Sequence, residues 1–118
     1  MNESPRIYHN PRCSKSRAAL ALLHERGIEP KIVEYLKTPP DRAELEDLIA
    51  LLGISPRELL RTGEAAYREL GLANPDLPDE RIIQAMVDHP KLIERPILVH
   101  GDDARIGRPP EQVLEILS

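Results

Sequence analysis

Residues 6–35 read RIYHNPRCSKSRAALALLHERGIEPKIVEY, and three elements follow one another in that stretch. Arg6 to His9 is short and β-prone, and Asn10-Pro11 closes it with a turn signal. From Cys13 to Arg26 the chain reads as a helix, with Leu20, Ala21 and Leu23 on its apolar face and Gly27 at the position that stops it. Lys31 to Tyr35 is a second strand. Strand, helix and strand within about 30 residues is the size of a βαβ unit, whose crossover is right-handed.

Downstream, Thr38-Pro39-Pro40-Asp41 opens another helix, capped either by Thr38 with Asp41 or by Asp41 with Glu44. Leu45, Leu48, Ile49 and Leu52 follow at helical spacing as far as Gly53. Ser55-Pro56 caps and starts a short helix through Leu60. A further short helix covers Glu64 to Leu70. Asp79 and Glu80 begin another, where the helix dipole favours carboxylates, with Ile83, Met86 and Val87 as its buried side. Ile97 to His100 is a strand, Gly101-Asp102-Asp103 a hairpin signal and Ala104 to Ile106 the returning strand. Glu111 to Leu117 forms the last helix. This order predicts a single α/β domain over residues 1–118. Its plan is a thioredoxin-like four-stranded mixed sheet flanked by helices, with a helical insertion at about residues 41–93 between the βαβ and ββα halves.

The bulk composition narrows the function. A chain of 118 residues buries roughly two-thirds of its unfolded surface, enough for a core without staples. It holds no Phe or Trp, so that core is Leu, Ile, Val and Ala. A net charge of −4 and the lack of aromatic stacking platforms argue against nucleic acid. No basic leader and no spanning apolar run is present, so a cytoplasmic monomer without membrane attachment is expected. A single cysteine excludes an internal disulfide and a Cys-rich metal site, and His9, His24, His89 and His100 show no close ligand spacing. No metal and no bound cofactor are expected.

Cys13 is the residue that carries chemistry. It stands where a turn delivers the chain into a helix, whose free amides and partial positive charge stabilise a thiolate. His9, Arg12, Lys15 and Arg17 add positive potential nearby. Ser16 occupies the place of the second cysteine in a C-x-x-C motif, and its hydroxyl can donate to the thiolate but cannot resolve a disulfide.

The run His9-Asn10-Pro11-Arg12-Cys13-Ser14-Lys15-Ser16-Arg17 resembles the opening of the glutaredoxin-coupled arsenate reductase family, ArsC-type, and its short bacterial members in particular. Tyr35 to Pro40, Leu59-Leu60-Arg61, Glu94 to Ile97 and Gly107-Arg108-Pro109 extend the likeness over nearly the whole chain. The resemblance implies that Cys13 is the nucleophile, that His9 and Ser16 help keep it ionised, and that Arg61, Arg95 and Arg108 bind the oxyanion. Planar guanidinium forks suit a tetrahedral oxyanion. Thioredoxin-like proteins also carry a cis-proline before their third strand, which Pro96 matches.

Reducing arsenate to arsenite needs two thiols. With one cysteine in the chain, the other comes from outside: the family implies glutathione as co-substrate and glutaredoxin as partner. The C-x5-R phosphatase-like design is excluded, because Ala19 stands where its arginine belongs. Two alternatives stay open, a redox-sensing transcription regulator of the Spx type and a monothiol glutathione-handling protein.

Overall fold

The computed structural model describes residues 5–117. They fall into two compact units: the chain up to Thr38 together with that from Arg95 onward, and Pro39–Glu94.

The first unit contains β1 (Arg6–Tyr8), α1 (Ser14–Glu25), β2 (Lys31–Val33), β3 (Ile97–His100) and β4 (Asp103–Ile106). The sheet order is β2-β1-β3-β4, with β1 parallel to β2 and antiparallel to β3, and β3 antiparallel to β4. Ile7 pairs with Leu98, so both side chains leave the sheet on one face. Together with Ala19, Leu23, Val113 and Ile116 they form a buried cluster, which packs α1 and the C-terminal segment on that face. Each fully buried aliphatic side chain contributes roughly 1.5–3 kcal/mol.

Several boundaries and faces differ from the sequence reading. The strands stop at Tyr8 and Val33 rather than His9 and Tyr35, although the His9 amide still donates to the Val33 carbonyl at 2.9 Å. In α1 the inward residues are Ser16, Ala19 and Leu23, at spacings of three and four; Ala21, expected on the apolar face, is exposed. It stands two residues from both Ala19 and Leu23, roughly 200° round the helix. The last element, Pro110–Ile116, is a 3₁₀ segment rather than the expected α-helix. Its bonds are of the i→i−3 type, Gln112 N to Pro109 O and Leu117 N to Leu114 O, and buried Val113 and Ile116 lie three apart, so a three-residue turn points both at the sheet. Asp103 belongs to β4, leaving the two-residue turn Gly101-Asp102, with Gly101 at a φ of +63°.

Gly107 ends β4 and donates its amide to the Pro96 carbonyl at 2.8 Å. A Cβ there would lie 2.7 Å from Pro96 Cγ and 3.1 Å from Val113 Cγ1. Gly107→Ala is therefore expected to destabilise the protein by about 1–3 kcal/mol, the usual range for overpacking. Urea unfolding checks this, and a midpoint equal to that of the parent would contradict the packing described.

The second unit contains α2 (Arg42–Leu52), α3 (Ala65–Glu69) and α4 (Asp79–Asp88), with 3₁₀ turns at Pro56–Leu59 and Pro90–Leu92. Asp41 is the cap of α2: its side chain accepts from the Glu44 amide at 2.9 Å. Leu45, Leu48 and Ile49 of α2 are buried, as are Ile82, Ile83, Ala85 and Met86 of α4. The expected Val87 is only half-buried, and Ile82 replaces it inside. A bridge between Leu60 and Ile93 ties the middle of this unit to its C-terminal end, and the Arg61 amide donates to the Leu92 carbonyl beside it. Among the described residues, no helix is long and apolar enough to cross a membrane.

Candidate active site

The turn between β1 and α1 is built by its own side chains. Asn10 accepts the Cys13 amide on its carbonyl at 3.0 Å and the Arg12 amide on its side-chain oxygen at 3.0 Å. Its own amide donates to the Ser16 hydroxyl oxygen at 3.3 Å, and Ser16 is fully buried. Arg17 reaches back from α1 to the Pro11 carbonyl at 2.9 Å. These bonds fix Cys13 as the residue that caps α1, with extended backbone and a carbonyl that already accepts the first helical bond from Arg17.

The β3–β4 hairpin then brings Arg95 and Arg108 to the cysteine. Arg108 donates from Nε to the Arg95 carbonyl at 2.9 Å, while its Nη2 lies 4.0 Å from Cys13 Sγ. The Arg95 side chain also hydrogen-bonds the cysteine, and its buried Nε has no hydrogen-bond partner among the described residues. Both arginines precede a cis peptide bond, Arg95–Pro96 and Arg108–Pro109; the second had no counterpart in the sequence reading.

Burial pushes the Cys13 thiol up, but the Ser16 amide, the Arg95 hydrogen bond, the Lys15 amide and the Arg95 charge outweigh it and bring the pKa down to about 7. A free thiol is only roughly 3% ionised at pH 7, whereas this one is about half ionised. Because the pKa is lowered, the thiolate predominates above that value and is lost as the pH falls through it. Alkylation by iodoacetamide is expected to follow a single titration with its midpoint near pH 7. A midpoint at or above the free-thiol value of ~8.5 would contradict the site electrostatics.

The supporting residues act differently from expectation. Ser16 supports the thiolate through its backbone amide, while its hydroxyl oxygen accepts from Asn10 and braces the turn. His9 is buried, and that burial drives its imidazole below the ordinary range, against an upward pull from Glu34 and with a further push down from Arg17. At neutral pH it is an uncharged ring, and its Nδ1 has no partner among the described residues. Arg61 belongs to the second unit, where Glu94 at 3.1 Å and Glu64 at 3.7 Å hold its guanidinium.

Asn10 is the residue that the sequence reading passed over, having taken it only as a turn signal. Its position before Pro11, three residues ahead of the nucleophile, is the pattern of a side chain that closes a turn onto nearby backbone amides.

The arrangement can hold a thiolate against an anion bound by two guanidinium groups. The pattern of the ArsC family matches residues 8–116. The protein of Escherichia coli (strain K12) called uncharacterized protein YfgD is 60% identical over 118 residues, 99% of each chain. The arsenate reductase of that strain is 52% identical over 111 residues, 94% of this chain and 79% of that protein. The solved arsenate reductase from Vibrio cholerae superposes with a TM-score of 0.94 at 53% identity, covering 96% of this chain and 97% of the other. The mixed sheet described above is the thioredoxin-like sheet of these neighbours.

Proposed function

The chain belongs to the ArsC family, and we propose that it is an oxidoreductase that reduces arsenate to arsenite through Cys13. The observation that carries this reading is the meeting of a cysteine of pKa about 7 with Arg95 and Arg108. The relatives named as arsenate reductases support it, at 50–52% identity over most of their length.

In the first step the Cys13 thiolate attacks arsenic, and a hydroxyl leaves as water, giving a Cys13 S–As(V) adduct. Arg95 and Arg108 hold the equatorial oxygens and offset their charge, each charge-assisted contact being worth about 1.5–3 kcal/mol. A glutathione thiolate then attacks Cys13 Sγ. The new S–S bond forms as the S–As bond breaks, its electron pair stays on arsenic, and As(V) leaves as arsenite. Glutaredoxin removes the glutathionyl group from Cys13 by thiol–disulfide exchange and restores the thiolate. The single cysteine supports this external supply of thiols. The reading also places the protein in the cytoplasm, where a lone thiol stays reduced.

Arsenate-dependent NADPH oxidation, coupled through glutathione, glutaredoxin and glutathione reductase, tests the whole cycle. Turnover that needs arsenate, glutathione and glutaredoxin together is expected. No arsenate-dependent rate, with the thiol still reactive, would turn the reading toward a redox sensor.

A further inference from the structure

A cavity of about 240 Å³ opens beside the nucleophile's turn, lined by His9, Asn10, Arg12, Glu34, Leu36 and Lys37 among others. Arg12, which lines it, is the chain neighbour of Cys13, although Cys13 itself does not line the cavity. Arg95 and Arg108 do not line it. The cavity is therefore distinct from the place where the oxyanion arginines meet the cysteine.

The lining carries two cations and one carboxylate. The Arg12 guanidinium has no hydrogen-bonding or ionic partner among the described residues; only its backbone amide is engaged, by Asn10. Lys37 faces Glu34 at 3.5 Å, with the lysine side chain 78% exposed. A pair that open is weakly held, so each member can exchange its partner for a ligand group. His9, 6% exposed, also lines the cavity, and its buried Nδ1 has no hydrogen-bond partner among the described residues. Leu36 gives the rim an apolar contact.

At neutral pH glutathione carries two carboxylates and one ammonium, the inverse of this lining. We infer that the cavity is the seat of the tripeptide thiol, its carboxylates against Arg12 and Lys37 and its ammonium against Glu34. Its sulfur is thereby delivered to Cys13 from a site that leaves the oxyanion arginines occupied. The inference rests on the glutathione-dependent reading above, and names where that co-substrate binds.

The test uses thiol–disulfide exchange and needs no arsenate. The Cys13 thiolate attacks one sulfur of glutathione disulfide, Cys13–glutathione forms, and the second glutathione leaves as a thiolate with the electron pair of the broken bond. The same exchange with bis(2-hydroxyethyl) disulfide, which is uncharged, reports the intrinsic reactivity of Cys13. Both rates are followed by intact-protein mass at pH 7. The ratio of the charged to the uncharged rate is expected to fall about tenfold in the Arg12→Ala/Lys37→Ala double variant. The Arg26→Ala control, whose residue is exposed at the far end of α1, is expected to keep the parent ratio. An unchanged ratio in the double variant would overturn the assignment, as would an equal fall in the Arg26→Ala control. Absent arsenate turnover with the ratio still falling would leave the tripeptide site standing and remove only the oxyanion reading.

Discussion

Cys13→Ser is expected to abolish arsenate turnover, a loss on the order of a thousandfold or more, while the protein stays folded. A hydroxyl at the cap of α1 meets the same amides of Ser16 and Lys15, and serine is itself a favoured capping residue, so the helix start is preserved. The hydroxyl has neither the acidity nor the nucleophilicity of a thiol poised near pH 7, and it cannot form the disulfide that ends the proposed cycle. Circular dichroism and a urea midpoint close to the parent's are expected alongside the dead enzyme. Residual turnover within tenfold of the parent would mean that the sulfur is not the nucleophile.

The second large effect concerns the arginines. Arg95→Lys and Arg108→Lys keep the charge but lose the planar fork. Each should lower kcat/KM for arsenate by roughly tenfold or more, equivalent to ~1.4 kcal/mol. Arg108 has an additional reason to be sensitive: its Nε bonds the Arg95 carbonyl, so a lysine there loosens the partner arginine as well. Arg81→Lys, on the exposed side of α4, should leave kcat/KM unchanged. Equal losses at Arg81 and Arg95, or none at either, would reduce the arginines to surface charge even with Cys13 still reactive. Arg61 behaves differently in the structure, since two carboxylates already hold its guanidinium.

The strand–helix–strand opening was legible because its signals are local. Period and turn residues place β1, α1 and β2 within a residue or two, and the Gly101-Asp102 turn places β3 against β4. What local pattern could not settle is which residues face inward. Ala19 and Ala21 are equally apolar, and only the sheet above Ile7 and Leu98 decides that Ala19 is the one covered. The same holds for Ile82 against Val87. The terminal 3₁₀ segment is likewise a tertiary choice, made by the need to bury Val113 and Ile116 together.

In the site, its place at a helix start pointed to Cys13 and the family resemblance to Arg61, Arg95 and Arg108, but neither to how each is held. That the Ser16 hydroxyl serves Asn10 rather than the thiolate depends on a bond across six residues, and no spacing rule announces it. The carboxylates on Arg61 divide in the same way. Glu64 stands three residues away and could have been anticipated, whereas Glu94 arrives only through the bridge that joins Leu60 to Ile93.

The central claim is that the Cys13 sulfur takes arsenic first and glutathione second. A single-turnover reaction tests it most directly: stoichiometric protein, arsenate and glutathione without glutaredoxin, quenched in acid and read by intact mass and arsenite release. One arsenite released per chain is expected, with glutathione left on Cys13 and its accumulation dependent on arsenate. Arsenite released while Cys13 remains a free thiol, or glutathionylation at the same rate without arsenate, would contradict it.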